Sequence, residues 1–179
     1  MHDSDSRPCS LNQIDAADVS VPHLESHVEI FTIDATDSVK ILIEYSCHCW
    51  SRNFDPIADE GQIQFLDNKR PRAFDPERYK ASTELNLLLK ELPTHRIFVT
   101  KSDRNYGCYN AQLTDAKGFF YTAYFTLRRD KGRFNGIRHS LRLFVESAYA
   151  KGQPEAGHKT SFKAVVGKAR KGQMVKYRR

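Results

Sequence analysis

The sequence predicts an α+β domain: an antiparallel twisted sheet with a packed central helix and a short C-terminal helix, preceded by an N-terminal β-hairpin. Three observations predict this class. Leucines recur at helical spacing in the middle of the chain, and segments that alternate with period two lie on both sides of them. The chain has 179 residues, of which 40% are hydrophobic, which is enough to build the core of one domain.

The N-terminal third is predicted to contain an arm and a hairpin. Residues 1–22 are polar and acidic and are interpreted as a flexible arm. A β-hairpin is predicted over residues 27–47, because two β-rich segments flank a polar connection at residues 34–38. Residues 51–75 contain prolines and a glycine as breakers, so they are predicted to be irregular apart from a short strand at residues 62–66.

The clearest helix is predicted over residues 76–91. Asp75 can accept hydrogen bonds from free backbone N–H groups as the N-cap, and Pro76 suits the first helical position. The leucine pattern continues at helical spacing until Pro93, which is expected to end the helix.

A second sheet region is predicted over residues 96–149. Residues 119–127 are expected to pair antiparallel with residues 141–149, since both alternate with period two. The basic stretch between them, residues 128–140, contains two glycines and is interpreted as a long loop.

The remaining C-terminal residues are predicted to form a short helix and a tail. Residues 160–171 carry an apolar stripe after a Thr-Ser pair that can cap a helix. Residues 173–179 are interpreted as a basic tail. Residues 23–172 are therefore expected to form a single domain.

Charge is distributed very unevenly along the chain. Residues 1–60 carry three Lys/Arg against twelve Asp/Glu, a net charge of −9, whereas residues 61–179 carry 25 against 10, a net charge of +15. A basic surface of this size attracts polyanions such as RNA through phosphate contacts. The alternative is a solvated basic surface that the acidic segment partly neutralises within the fold.

Cysteine usage and hydropathy indicate the compartment. The four cysteines are few and irregularly spaced, and the N-terminal residues have no apolar stretch, so a cytoplasmic protein without disulfides is expected. No apolar run approaches the roughly 18–20 residues that cross a bilayer, so no membrane partner is expected.

The run Cys47-His48-Cys49 contains three potential metal ligands. Zinc sites usually draw four ligands from pairs separated by a few residues, and no second pair of this kind follows. The run is therefore interpreted as a strand end with two half-buried thiols, and neither a metal nor a cofactor is predicted.

The segment from Arg128 to Arg142 is the main candidate for chemistry. It holds six Lys/Arg and one acidic residue in fifteen positions. Arginine binds phosphate through paired hydrogen bonds, and a histidine such as His139 can accept or donate a proton near neutral pH. The alternatives are a mobile solvated loop and a nucleic-acid contact without chemistry. The expected nucleic-acid-binding residues are basic or aromatic: Lys101, Arg104, Tyr124, Arg129, Lys131, Arg133 and Arg138.

A family resemblance adds to this interpretation. The helix is followed by Thr100-Lys101, Asn105-Tyr106, a glycine turn, Tyr121-x-x-Tyr124-Phe125-x-Leu127 and Leu141-x-Leu143-x-Val145-x-Ser147-Ala148-Tyr149. Over roughly residues 75–150 this order resembles the barnase/RelE-like superfold of small ribonucleases and toxins. The resemblance implies a sheet that binds RNA and cleaves it without metal. The residues carried over are Lys101, Arg128, His139, Arg142, Glu146 and Tyr149.

Strand alternation limits this set. Arg142 and Glu146 are expected on one face, and Tyr149 on the other, apolar one, where a core or edge role is favoured. The leading hypothesis is an endoribonuclease in which Glu146 or His139 takes the 2′-hydroxyl proton while Arg128 and Arg142 clamp the phosphate. Two alternatives stay open: a nucleic-acid binder without catalysis, and a protein-interaction module that uses its acidic N-terminal part.

Overall fold

The computed structural model describes residues 13–99, 109–114, 120–151 and 157–175. Within them lie eleven strands: β1 (Gln13–Asp15), β2 (His27–Asp34), β3 (Asp37–Tyr45), β4 (Ser51–Asn53), β5 (Gln64–Asp67), β6 (Arg70–Phe74), β7 (Ile97–Val99), β8 (Tyr109–Thr114), β9 (Phe120–Phe134), β10 (Ile137–Lys151) and β11 (His158–Thr160). The three α-helices of these residues are α1 (Pro76–Ser82), α2 (Leu85–Lys90) and α3 (Phe162–Arg170). The predicted α+β class is confirmed.

Seven strands form the main sheet in the order β11-β7-β8-β9-β10-β3-β2. The N-terminal hairpin of β2 and β3 belongs to this sheet, because β3 pairs with β10. That pairing is parallel, with Leu141 beside Ile41 and Leu143 beside Ile43. The prediction of a purely antiparallel sheet with a preceding hairpin is corrected here: the sheet is mixed, and its parallel junction joins strands about 100 residues apart in sequence, which local patterns do not reveal.

Residues 51–75, predicted to be irregular apart from a short strand at residues 62–66, contain most of a second sheet, in which β5 overlaps that predicted strand. Its four strands run in the order β1-β5-β6-β4. Pro71 lies inside β6, where a missing N–H is tolerated only in some positions of a ladder. The proline and glycine therefore mark short strands and turns here rather than an absence of strands.

The predicted helix of residues 76–91 is broken into α1 and α2 at Thr83-Glu84. The N-cap is as expected, since the Asp75 carboxylate accepts from the N–H groups of Glu77 and Arg78 at 3.1 and 3.0 Å. At the break, the Ser82 and Thr83 hydroxyls donate to the carbonyls of Tyr79 and Lys80, both at 2.7 Å. These side chains compete with the helical backbone for its acceptors, which ends the first helix.

The prediction of a basic loop at residues 128–140 is also wrong, because β9 and β10 continue through these residues as one long hairpin. Asn135 and Gly136 form the two-residue turn, with φ of 47° and 78°. Asn-Gly is a strong hairpin signal, since both turn positions require positive φ. Residues 129–140 are named here the basic arm. Among the described residues their strand partners lie only within the hairpin, because β3 and β8 pair with other parts of β9 and β10.

One face of the main sheet, called the inner face, carries the core. Leu141, Leu143 and Val145 of β10 are fully buried there beside Ile41 and Ile43 of β3. Helix α3 packs on this face through the Phe31 and Phe162 rings, whose centroids are 5.2 Å apart. No helix in the described part of the chain is long and apolar enough to cross a bilayer.

Candidate functional site

A recess of about 190 Å³ opens on the opposite side of the sheet, called the outer face. It lies where β9 and β10 pair, because Arg142 stands directly opposite Arg128 and Phe144 opposite Thr126. These four side chains and Glu146 line the recess. The structure thus brings three of the four predicted catalytic residues, Arg128, Arg142 and Glu146, to one place.

A β-bulge shapes one end of the recess. The register between β9 and β10 shifts between Val145 and Ser147, so Glu146 is an extra residue without a partner in the β9–β10 ladder. Bulges bend a strand and redirect side chains. Beyond the bulge Tyr149 pairs with Thr122, which shares the outer face with Thr126. The expectation that Tyr149 lies on the apolar face is therefore wrong, because the bulge reverses the alternation.

The charges of the recess are balanced by a residue that the sequence interpretation missed. The Nε of Arg142 donates to Oε2 of Glu44, which β3 brings alongside through the parallel pairing. Among the described residues, no carboxylate lies within ion-pair distance of Arg128. The Arg128 guanidinium therefore keeps donors for an incoming anion. No local sequence signal connects Glu44 with Arg142.

Burial raises the pKa of the half-buried Glu146 carboxyl above its ordinary value of 4.5, against the opposing field of Arg128. A buried carboxylate loses hydration, which disfavours its charged form. A carboxyl group whose pKa is shifted toward neutrality is better matched to take and return a proton at physiological pH.

This shift predicts a pH dependence of stability. Above pH 4.5 and below the raised pKa, folded Glu146 holds a proton that the unfolded chain has lost, so the free energy of unfolding falls as pH rises through this window. Glu146→Gln removes that contribution. In urea titrations at a series of pH values, we expect the stability of the variant relative to wild type to increase as the pH rises above 4.5. Glu60→Gln, at an exposed turn position, controls for a general loss of charge; a constant difference between Glu146→Gln and wild type across this range contradicts the assignment.

His139, the fourth predicted catalytic residue, does not reach the recess. It lies in β10 rather than in a loop, and it is buried at 8% exposure. It pairs with Gly132 and its Nε2 lies 3.8 Å from Asp130 Oδ2. Its position has the same strand parity as Leu141 and Leu143 of the inner face. The packing of the ring against Gly132 gives His139 a structural role in the basic arm, so its catalytic assignment is withdrawn.

The predicted nucleic-acid-binding residues are divided between two places. Arg129, Lys131, Arg133 and Arg138 are all exposed on the basic arm and do not line the recess. A two-stranded basic ribbon can contact the phosphates of a nucleic-acid backbone. Lys101 and Arg104 lie outside the described residues.

Tyr124 lies on the outer face close to the recess, within a group of rings and cations. Its ring stacks on that of Tyr149 at a centroid distance of 5.7 Å. The guanidinium carbon of Arg78 lies 4.8 Å from the Tyr149 centroid, and Lys151 Nζ lies 5.3 Å from that of Tyr124. Aromatic faces beside cations can stack nucleobases while the cations meet phosphates.

The run Cys47-His48-Cys49 is a turn of 3₁₀ helix, not a strand end. In this turn Cys47 and His48 approach Asp67 of β5, whereas Cys49 is fully buried in the core. The sequence interpretation missed Asp67, which is distant in sequence and carries no motif. Cys47, His48 and Asp67 are the described residues that could together hold a metal ion.

Comparison with known proteins identifies the family. The YjaZ family model matches residues 12–170, so the chain belongs to the YjaZ family. The match includes both the recess and the Cys47-His48 turn. Searches of curated proteins and of solved structures found no match.

Proposed function

We propose that this YjaZ-family protein binds single-stranded RNA on the outer face of its main sheet and cleaves it without a metal ion. The observation that carries the proposal is the convergence of Arg128, Arg142 and the half-buried Glu146 on one recess. The two guanidinium groups can bind a phosphodiester, and the carboxylate can accept a proton beside it.

The proposed reaction is an internal transesterification. Glu146 takes the proton of the 2′-hydroxyl, the 2′-oxygen attacks the neighbouring phosphorus, and the bond from phosphorus to the 5′-oxygen breaks. The leaving 5′-oxygen takes a proton from water, and Glu146 returns its proton to solvent. The products are a 2′,3′-cyclic phosphate and a 5′-hydroxyl. Arg128 and Arg142 stabilise the extra negative charge on the phosphorus oxygens.

Arg142 is suited to this role because its orientation is already set. Its ion pair with Glu44 holds the guanidinium at the recess before substrate arrives. Arg128 supplies donors that the described residues leave free for the phosphate. The stacked rings of Tyr124 and Tyr149 continue the same face, where adjacent bases can stack.

The direct test is incubation of the purified protein with a single-stranded RNA oligonucleotide in excess chelator. We expect fragments that end in a 2′,3′-cyclic phosphate, and no cleavage of the same sequence made with 2′-deoxynucleotides, since the 2′-oxygen is the nucleophile. Absence of chelator-resistant cleavage, or equal cleavage of the deoxy substrate, overturns the catalytic proposal.

The second candidate function is binding without catalysis. The exposed basic arm favours it, because Arg129, Lys131, Arg133 and Arg138 can contact phosphates without a proton acceptor nearby. Salt-sensitive RNA binding by a protein that leaves the RNA intact would select this alternative. A third hypothesis is that the protein binds another protein through its acidic N-terminal part. A pull-down that compares the full chain with a variant lacking residues 1–22 tests this hypothesis.

A further inference from the structure

A cluster of three different side chains lies away from the recess, where the two sheets meet. It consists of Cys47 and His48, from the 3₁₀ turn, and Asp67, at the end of β5. Their ligand atoms all lie within 4.8 Å of one another, and His48 Nε2 is 2.8 Å from Asp67 Oδ2. All three side chains are half-buried.

The three ligand atoms must lie somewhat closer together than this 4.8 Å limit to surround a zinc ion. Zinc binds sulfur at about 2.3 Å and nitrogen or oxygen at about 2.0–2.2 Å, which puts neighbouring ligand atoms about 3.3–3.7 Å apart. The His48–Asp67 pair is slightly closer than this and is linked by a hydrogen.

The turn that carries Cys47 and His48 is held firmly by its surroundings. The Ser46 hydroxyl accepts from His48 N–H, and the Ser51 hydroxyl donates to the Cys47 carbonyl at 2.7 Å. The buried Arg72 in turn donates to Ser51 Oγ and Ser51 O, both at 2.8 Å. Such outer contacts orient metal ligands before the ion binds.

The same turn excludes the neighbouring thiol. Cys49 is fully buried, and its Sγ faces the carbonyl of Val145 in the core. The ligand set is therefore not the Cys-His-Cys run of the sequence. It is one thiol and one imidazole from the turn, completed by the carboxylate of Asp67 from β5.

The cluster borders a large cavity. Cys47 and Asp67 line a cavity of about 760 Å³, whose wall also includes Trp50 and Lys69. Phe144 lines both this cavity and the arginine recess. A fourth coordination position on the cavity side would be open to water or a small ligand, as in zinc sites with three protein ligands.

We propose that Cys47, His48 and Asp67 form a binding site for one zinc ion, with the fourth position open to the cavity. Thiolate and imidazole ligands select zinc over magnesium or calcium, which prefer sites made entirely of oxygen. When zinc binds, the Cys47 thiol loses its proton to solvent and its sulfur bonds to the metal. This site is independent of the RNA proposal, since none of its three ligands lines the arginine recess.

Metal binding by the full-length protein tests the site directly. After removal of adventitious metal, zinc affinity is measured by competition with a chromophoric chelator, and cobalt is added separately as a spectroscopic probe. We expect one equivalent of each ion and a near-ultraviolet charge-transfer band from the thiolate–cobalt bond. Cys47→Ser should abolish that band, and Asp67→Asn should weaken zinc binding more than about 100-fold, since even outer-shell changes cost 10–100-fold.

Matched variants separate this site from other thiols. Cys49→Ala removes the adjacent cysteine but none of the three ligands, and the double variant Cys9→Ser/Cys108→Ser removes the remaining two. Both should keep stoichiometric zinc. Circular dichroism verifies folding, and zinc should raise the melting temperature of wild type but not of Asp67→Asn. No stoichiometric binding by wild type, unchanged affinity in Asp67→Asn, or loss of binding in the Cys9/Cys108 variant would overturn the site.

Discussion

Glu146→Gln is expected to slow RNA cleavage by about 10²–10⁴-fold while RNA binding is retained, because a positioned general base contributes about that much to rate. Glutamine preserves the size and hydrogen-bonding shape of the side chain but cannot take the 2′-hydroxyl proton. Initial cleavage rates at saturating RNA, in excess chelator, measure the effect. The binding affinity, measured with the uncleavable 2′-deoxy-substituted oligonucleotide, should change little.

The control for this result is Glu29→Gln. Glu29 lies on β2, away from the recess, and its carboxylate pairs with Lys90. The variant should cleave at the wild-type rate if it remains folded. His139 is buried against Gly132 and lies beside Asp130 in the basic arm, so His139→Gln should not reproduce the loss seen in Glu146→Gln. Wild-type cleavage by Glu146→Gln, or an equal loss in His139→Gln, would refute the assignment of Glu146 as the base.

The double variant Arg128→Ala/Arg142→Ala is expected to weaken RNA binding and to make the slope of log K against log salt shallower by about 1.4, which corresponds to two lost phosphate contacts. For single strands the slope of log K against log salt is about −0.7 for each neutralised phosphate, so the change is measurable across a salt series. Fluorescence anisotropy with a labelled oligonucleotide gives both affinity and slope. Cleavage should fall further than binding, since the arginines also stabilise the transition state.

The matched control is Lys168→Ala/Lys171→Ala, which removes the same charge at the end of α3, the helix on the inner face. A general electrostatic attraction would be reduced equally by both double variants. A recess that binds phosphate is affected only by the first. If the two slopes fall by the same amount, the recess has no specific role, and the basic arm becomes the first place to look for the contact.

Local sequence patterns identified several parts of this molecule. Asp75 and Pro76 begin α1 where their capping chemistry places them, and the alternation in β9 and β10 predicted their antiparallel pairing. The Asn135-Gly136 pair is a sequence signal for a tight hairpin turn, but the high charge around it favoured the interpretation of a loop. The charge pattern selected residues 128–142 as the candidate functional segment, but it did not distinguish the recess from the exposed basic arm.

The alternation rule failed at one residue for a clear reason. It assumes one residue per ladder position, and the bulge at Glu146 inserts an extra one. Tyr149 therefore faces the recess side, where its ring stacks with Tyr124. A bulge depends on how the whole strand bends over the core, so period-two counting within β10 cannot detect it.

By itself the sequence determined the α+β class, the capped start of α1, the strand pairing of β9 with β10 and the basic character of residues 61–179. These properties depend on backbone preferences and hydrophobic periods within about 15 residues. Only the tertiary structure decided that Glu44 pairs with Arg142, that Asp67 approaches Cys47, and that His139 is buried on the other side of the sheet. Each of these contacts depends on strands that are distant in sequence or on a shift of strand register. The free energy that selects such contacts comes from the packing of the whole core, so no local segment reveals them.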